Sequence, residues 1–235
     1  MEPKDKIIVA LDVDSVDKTK ALVEALVSHV GCFKVGLELL TAVGGSQIVE
    51  FIHSLGGEVF YDGKFNDIPN TVGNATTAVA RLGVKMFSIH ASAGVEAMMA
   101  AVTNKGNSLV FGVTVLTSIS EAECVSIFGD KPGPKVLQFA KMLAEVGVDG
   151  IICSPQELEL LGQQPELTKL LKVTPGVRPL WAAVGDQKRV MTPGEAIKAG
   201  ANYLVIGRPI TQPPPEIDGP VEAAKKIAEE IASVL

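Results

Sequence analysis

The sequence is poor in several residue types that would announce particular chemistries. Of its 235 residues only three are cysteines, Cys32, Cys124 and Cys153. They are odd in number, far apart and without CxxC spacing, which excludes a disulfide framework or a thiolate zinc site and fits a reducing, cytoplasmic setting. Histidine is equally scarce, at three. Aromatic residues make up 5% of the chain, too few for a base-stacking surface. No apolar run approaches the length of a membrane span, and the charged stretch Met1 to Lys6 lacks the layout of a signal peptide. Basic residues number 21 against 27 acidic ones, a net charge of −6, so long-range attraction to nucleic acid or an anionic membrane is not expected. An anionic ligand would have to be held by a few placed cations. No glycine-rich dinucleotide-binding turn follows the first apolar run, where Leu11-Asp12-Val13-Asp14 stands instead.

What is present is a repeating alternation. Short β-branched runs at 7–11, 32–35, 58–64, 85–90, 109–116, 150–153, 171–174 and 203–206 are separated by helical patterns at 16–28, 46–55, 71–82, 95–104, 121–128, 136–146, 155–161 and 193–199, with a last amphipathic helix at 221–231. Eight strand–helix units in a row predict an α/β fold closed as a (β/α)8 TIM barrel, a single domain spanning 1–235. A doubly wound open sheet is the main rival. No linker divides the chain, and Pro213-Pro214-Pro215 reads as a rigid loop before the final helix.

In such a barrel the chemistry sits at the C-terminal ends of the strands. Those ends carry Asp12, Lys34, Asp62 with Lys64, His90, Thr117, Ser154, Arg178 and Arg208. The densest group is Asp62-Gly63-Lys64-Phe65-Asn66-Asp67. Side chains two apart on a strand share a face, so Asp62 and Lys64 are predicted to point together into the barrel mouth. Asp67 lies in a loop that can curl back to the same place, and Lys34 is the natural fourth member. Two lysines and two aspartates form an alternating, roughly neutral network, either a structural ion-pair cluster or a catalytic one. A lysine flanked by carboxylates suits proton donation better than Schiff-base attack. A second group looks like an anion site. Thr174-Pro175-Gly176-Val177-Arg178 and Gly207-Arg208-Pro209-Ile210 follow strands seven and eight, where this architecture binds phosphate. Between them, residues 180–189 read as a lid with Gly185, Asp186 and Gln187 at its tip. His90 ends a strand but reads as a core histidine, because no metal ligand is spaced with it.

These pieces resemble the orotidine 5′-phosphate decarboxylase family over nearly the whole chain. The run Asp62-x-Lys64-x-x-Asp67-Ile68-Pro69-Asn70-Thr71 is the most specific anchor. Ala10-Leu11-Asp12, Phe33-Lys34-Val35-Gly36, Val115-Leu116-Thr117-Ser118 and the two anion loops follow in the family's order. The resemblance implies a cofactor-free, metal-free decarboxylation of orotidine 5′-monophosphate in pyrimidine synthesis. It makes Lys34, Asp62, Lys64 and Asp67 the charged tetrad and Lys64 the acid that protonates the carbon losing CO2. It places Asp67, Ile68 and Thr71 in the neighbouring subunit's site, hence a homodimer with shared sites. It assigns Asp12 and Lys34 to the ribose, Thr117 to the pyrimidine end, and Arg178, Gln187, Gly207 and Arg208 to the phosphate. Two positions depart from the family run, Gly63 for leucine and Asn66 for histidine. A glycine there is expected to loosen the strand. The nearest rivals are Mg2+-dependent sugar-phosphate decarboxylases and aldolases of the same superfamily, which resemble this chain but place a carboxylate where Lys34 stands. A silent nucleotide-binding protein is the other rival, and it should have lost part of the tetrad.

Overall fold

The first apolar run, Ile7–Ala10 (β1), is buried along its whole length, because one face of it meets helices and the other fills a barrel. It is followed by α1 (Val16–Leu26), whose N-cap Ser15 accepts a hydrogen bond from the backbone N–H of Lys18. The computed structural model describes residues 2–13, 15–182 and 191–235. Over them the chain continues through β2 (Cys32–Gly36), α2 (Leu37–Val43), α3 (Gly45–Ser54), β3 (Val59–Phe65), α4 (Pro69–Arg81), β4 (Met86–His90), α5 (Val95–Asn104), β5 (Leu109–Val113), α6 (Glu121–Phe128), α7 (Pro132–Glu145) and β6 (Gly150–Ile152). It ends with α8 (Leu158–Gly162), β7 (Leu171–Pro175), α9 (Pro193–Lys198), β8 (Tyr203–Ile206), α10 (Arg208–Thr211) and α11 (Gly219–Ala232). The strands pair in parallel with their sequence neighbours, and β8 closes on β1, giving the predicted eight-stranded barrel.

Strand alternation divides the core in two. Ile7, Val9, Phe33, Val35, Phe87, Ile89, Val110 and Ile151 face outward and pack with the helices in one large cluster. Ile8, Cys32, Phe60, Met86, Phe111, Val173 and Tyr203 face inward and plug the barrel. Stepping two residues along each strand from the plug reaches Ala10, Lys34, Asp62, Ser88, Val113, Pro175 and Val205. All of these but the fully buried Ser88 line the mouth, above the plug.

Three local features differ from the sequence expectation. The strand expected over 109–116 stops at Val113; the Thr114 N–H and hydroxyl both donate to the Ile152 carbonyl, and Val115 and Leu116 line the mouth. The short helices α2 and α10 follow their strands directly, with Gly36 and Gly207 as their N-caps. Each is too short to print a periodic apolar face. The expected helix over 155–161 is a 3-10 turn, Pro155–Glu157, running into α8.

Candidate active site

The site is built on β2 and β3, which are paired so that Lys34 lies opposite Phe60 and Gly36 opposite Asp62. Lys34 Nζ lies 2.8 Å from Asp12 Oδ1 and 3.7 Å from Asp62 Oδ2. Lys64 Nζ lies 2.6 Å from the same Asp62 Oδ2. The result is a ladder, Asp12–Lys34–Asp62–Lys64, of two carboxylates and two ammonium groups. Asp62 is 5% exposed, and a buried carboxylate persists only where its charge and lone pairs are met. Its remaining oxygen, Oδ1, accepts from the Ser88 hydroxyl at 2.8 Å.

The expected tetrad is therefore only partly assembled within one chain. Lys34, Asp62 and Lys64 come together as predicted. Asp67 does not curl back: it is exposed, it is not among the residues lining the cavity, and its Oδ1 accepts from the Ile68 N–H at 2.7 Å at the start of α4. Asp12 occupies the fourth place instead. Ile68, 66% exposed, and Thr71, also exposed, face away from the chain's own cavity in the same way.

Lys64 has φ of +49°, the single non-glycine residue with positive φ among those described. Such a conformation costs an L-residue about 1–2 kcal/mol. It follows from a local irregularity: β3 and β4 pair at Tyr61 with Phe87 and again at Phe65 with Ile89, so Asp62, Gly63 and Lys64 stand opposite Ser88 alone. Gly63 is enclosed rather than open. A Cβ there would lie 2.9 Å from atoms of both the Tyr61 and Phe65 rings, which are 6.2 Å apart and close over the glycine. The departure from leucine is thus filled by an aromatic pair.

The opposite wall comes from β7 and β8. Gly176, with φ of +77°, makes the turn that carries Arg178 to the mouth, and the Arg178 N–H is tied to the Met191 carbonyl at 2.9 Å. Arg178, Gly207, Arg208 and Thr117 all line the same cavity as Asp12, Lys34, Asp62 and Lys64, a space of about 550 Å³. That volume suits a ligand of nucleotide size. Thr211 and Gln212 also line it and were missed in the sequence reading. Their only signal is that they lie one helical turn beyond Arg208. Gln187 and most of the expected lid fall outside the described residues.

Two other titratable groups lie near the site, and neither joins the ladder. Cys153 lines the cavity, but burial pushes its thiol up to about 12, with Glu157 adding to the rise. His90 is not among the lining residues; burial and then the Lys64 ammonium hold it below its ordinary 6.5, partly offset by Asp62.

Comparison with known proteins gives the family. The model of the orotidine 5′-phosphate decarboxylase / HUMPS family matches residues 5–227. The chain belongs to that family. An orotidine 5′-phosphate decarboxylase from Heliobacterium modesticaldum is 46% identical over 247 residues, covering 100% of this chain and 99% of the relative. Its counterpart from Syntrophomonas wolfei is 45% identical, covering 98% and 99%. Among solved structures, the orotidine 5′-phosphate decarboxylase from Lactobacillus acidophilus superposes with a TM-score of 0.81 at 32% identity, covering 96% of this chain and 98% of that one. In this member of the orotidine 5′-phosphate decarboxylase / HUMPS family, Lys34 stands between the Asp12 and Asp62 carboxylates.

Proposed function

We propose that this protein decarboxylates orotidine 5′-monophosphate to uridine 5′-monophosphate and CO2, the closing step of pyrimidine nucleotide synthesis, with its own side chains as the whole catalytic apparatus. The observation that carries the reading is the Lys34–Asp62–Lys64 ladder on the cavity floor, facing Arg178, Gly207 and Arg208 across one nucleotide-sized space. The two arginines grip the phosphate, with Gln187 completing that end; Thr117 meets the pyrimidine; Asp12 and Lys34 hold the ribose.

The chemistry follows from where charge develops. When the bond between C6 and the carboxyl carbon breaks, the electron pair stays on C6 and CO2 departs. The ammonium of Lys64 faces that developing charge and is fixed in advance, so it stabilises the carbanion without reorganising. It then transfers a proton from Nζ to C6, leaving a neutral amine that regains a proton from solvent. The Asp62 carboxylate crowds the substrate carboxylate and favours its loss. Binding energy from the distant phosphate orders the site. Lys34 occupies the position between two carboxylates that a divalent cation would otherwise fill, and its positive charge repels one.

The active form is a homodimer in which Asp67, Ile68 and Thr71 of each chain complete the other's site. This is supported by their exposure at the start of α4, outside the cavity of their own chain. A cytoplasmic setting fits the three cysteines, each free and buried.

The test is the fall in ultraviolet absorbance when purified protein meets orotidine 5′-monophosphate in excess EDTA. Loss of absorbance with uridine 5′-monophosphate as product is expected. No turnover in EDTA, with activity on a sugar phosphate once Mg2+ is added, would move the chain to the metal-dependent branch.

A further inference from the structure

We propose that Ser88 is a positioning residue for this reaction, a hydroxyl clamp that sets both Asp62 and Lys64; the inference rests on the decarboxylase reading above. Ser88 sits in the middle of β4 on the inward face, directly above Met86 of the plug, and is fully buried. Its Oγ accepts the Lys64 backbone N–H at 2.9 Å and donates to Asp62 Oδ1 at 2.8 Å. The hydroxyl carries one proton. Because the Lys64 amide is already a donor, that proton goes to the carboxylate, and the direction of both bonds is fixed.

The need for the clamp comes from the break in strand pairing. Three residues of β3, Asp62, Gly63 and Lys64, face the single residue Ser88 of β4. The ladder cannot offer a backbone carbonyl to the Lys64 N–H there, and the Ser88 side chain takes that role. The bond holds Lys64 in its positive-φ conformation and so fixes where its side chain begins. On Asp62 the ammonium groups of Lys64 and Lys34 both sit at Oδ2. Ser88 occupies Oδ1 and stops the carboxylate from rotating. Without the hydroxyl, a buried amide and a buried carboxylate oxygen would both lose their partner.

Because Ser88 touches Asp62 and Lys64 and is not among the residues lining the cavity, it should govern the chemical step rather than substrate affinity. Ser88→Ala should lower kcat about 10- to 100-fold, the effect of losing a hydrogen bond to a charged group. KM and the affinity for uridine 5′-monophosphate should stay within about threefold. Ser88→Thr, which keeps the hydroxyl, should recover most of kcat. A Ser88→Ala protein with kcat within about twofold of wild type, or equal impairment of folded Ala and Thr variants, would overturn the proposal. If Ser88→Ala does not fold, Ser88→Thr against Ser88→Val supplies the same comparison at equal shape, and equal kcat in that pair overturns it. Hydrogen exchange at the Lys64 amide reads the clamp without turnover. It should be slow in wild type and at least about tenfold faster without the hydroxyl; equal rates overturn the clamp. Wild-type protein that lacks decarboxylase activity but shows the protected amide would instead remove the functional reading alone.

Discussion

Gly36 leaves the space in which Lys34 carries its ammonium group. A Cβ built on Gly36 would stand 2.6 Å from Lys34 Nζ and 3.5 Å from Asp12 Oδ1. The backbone of Gly36 is at φ −101° and ψ −178°, a conformation any residue adopts, so an alanine adds bulk without backbone strain. Gly36→Ala should displace the ammonium and lower kcat/KM about tenfold, while the melting temperature shifts little because the obstructed atom ends a flexible side chain. Steady-state kinetics beside a melting curve check both halves.

Lys64→Ala removes the proton donor and one charge of the ladder. Turnover should fall by at least about 10³-fold while circular dichroism stays that of the folded barrel. Near-normal turnover would remove Lys64 from the acid role.

Asp67 and Lys64 should belong to different halves of a shared site. Neither the Lys64→Ala nor the Asp67→Ala protein should turn over alone. A one-to-one mixture should recover roughly a quarter of wild-type activity, since half the exchanged dimers carry one intact site. No recovery after subunit exchange has been verified by a tag would refute the sharing.

Arg208 lines the same cavity as Lys64, at the start of α10. Arg208→Ala should cost about 10²-fold in kcat/KM on the phosphorylated substrate, the scale of a lost charge-assisted grip, and little on the unphosphorylated nucleoside. An equal loss on both would mean that Arg208 does not read the phosphate.

His90 is held below 6.5 in the folded protein, chiefly by burial. Between that lowered value and 6.5 the unfolded chain binds more protons, so stability falls as pH drops through this window and is unaffected above it. Wild type should therefore lose stability relative to His90→Gln on acidification below 6.5, and denaturant melts on either side of that pH measure it. A constant difference across the window would show that His90 titrates normally.

How much of this was legible in the chain follows from the range of the interactions. Two-residue alternation is a local property, and it placed Asp62 and Lys64 on one face without any tertiary information. The order of strands and helices likewise led to the closed barrel, because parallel neighbours joined by right-handed crossovers have few ways to close. Pairing of β7 with β8 in turn brought Arg178 and Arg208 to one cavity, since loops after adjacent strands share one rim.

The sequence by itself thus determined the barrel, the shared face of Asp62 and Lys64 and the family run from Asp62 to Thr71. Only the tertiary structure decided that Asp12 joins the ladder within one chain while Asp67 is turned outward. It alone revealed that Ser88 bridges Asp62 and Lys64 and that Gly36 makes room for Lys34. The physical reason is distance along the chain: Lys34 meets Asp12 across 22 residues and Ser88 meets Asp62 across 26. Such meetings are set by cross-strand register and by one irregularity between β3 and β4, and neither leaves a mark on local periodicity.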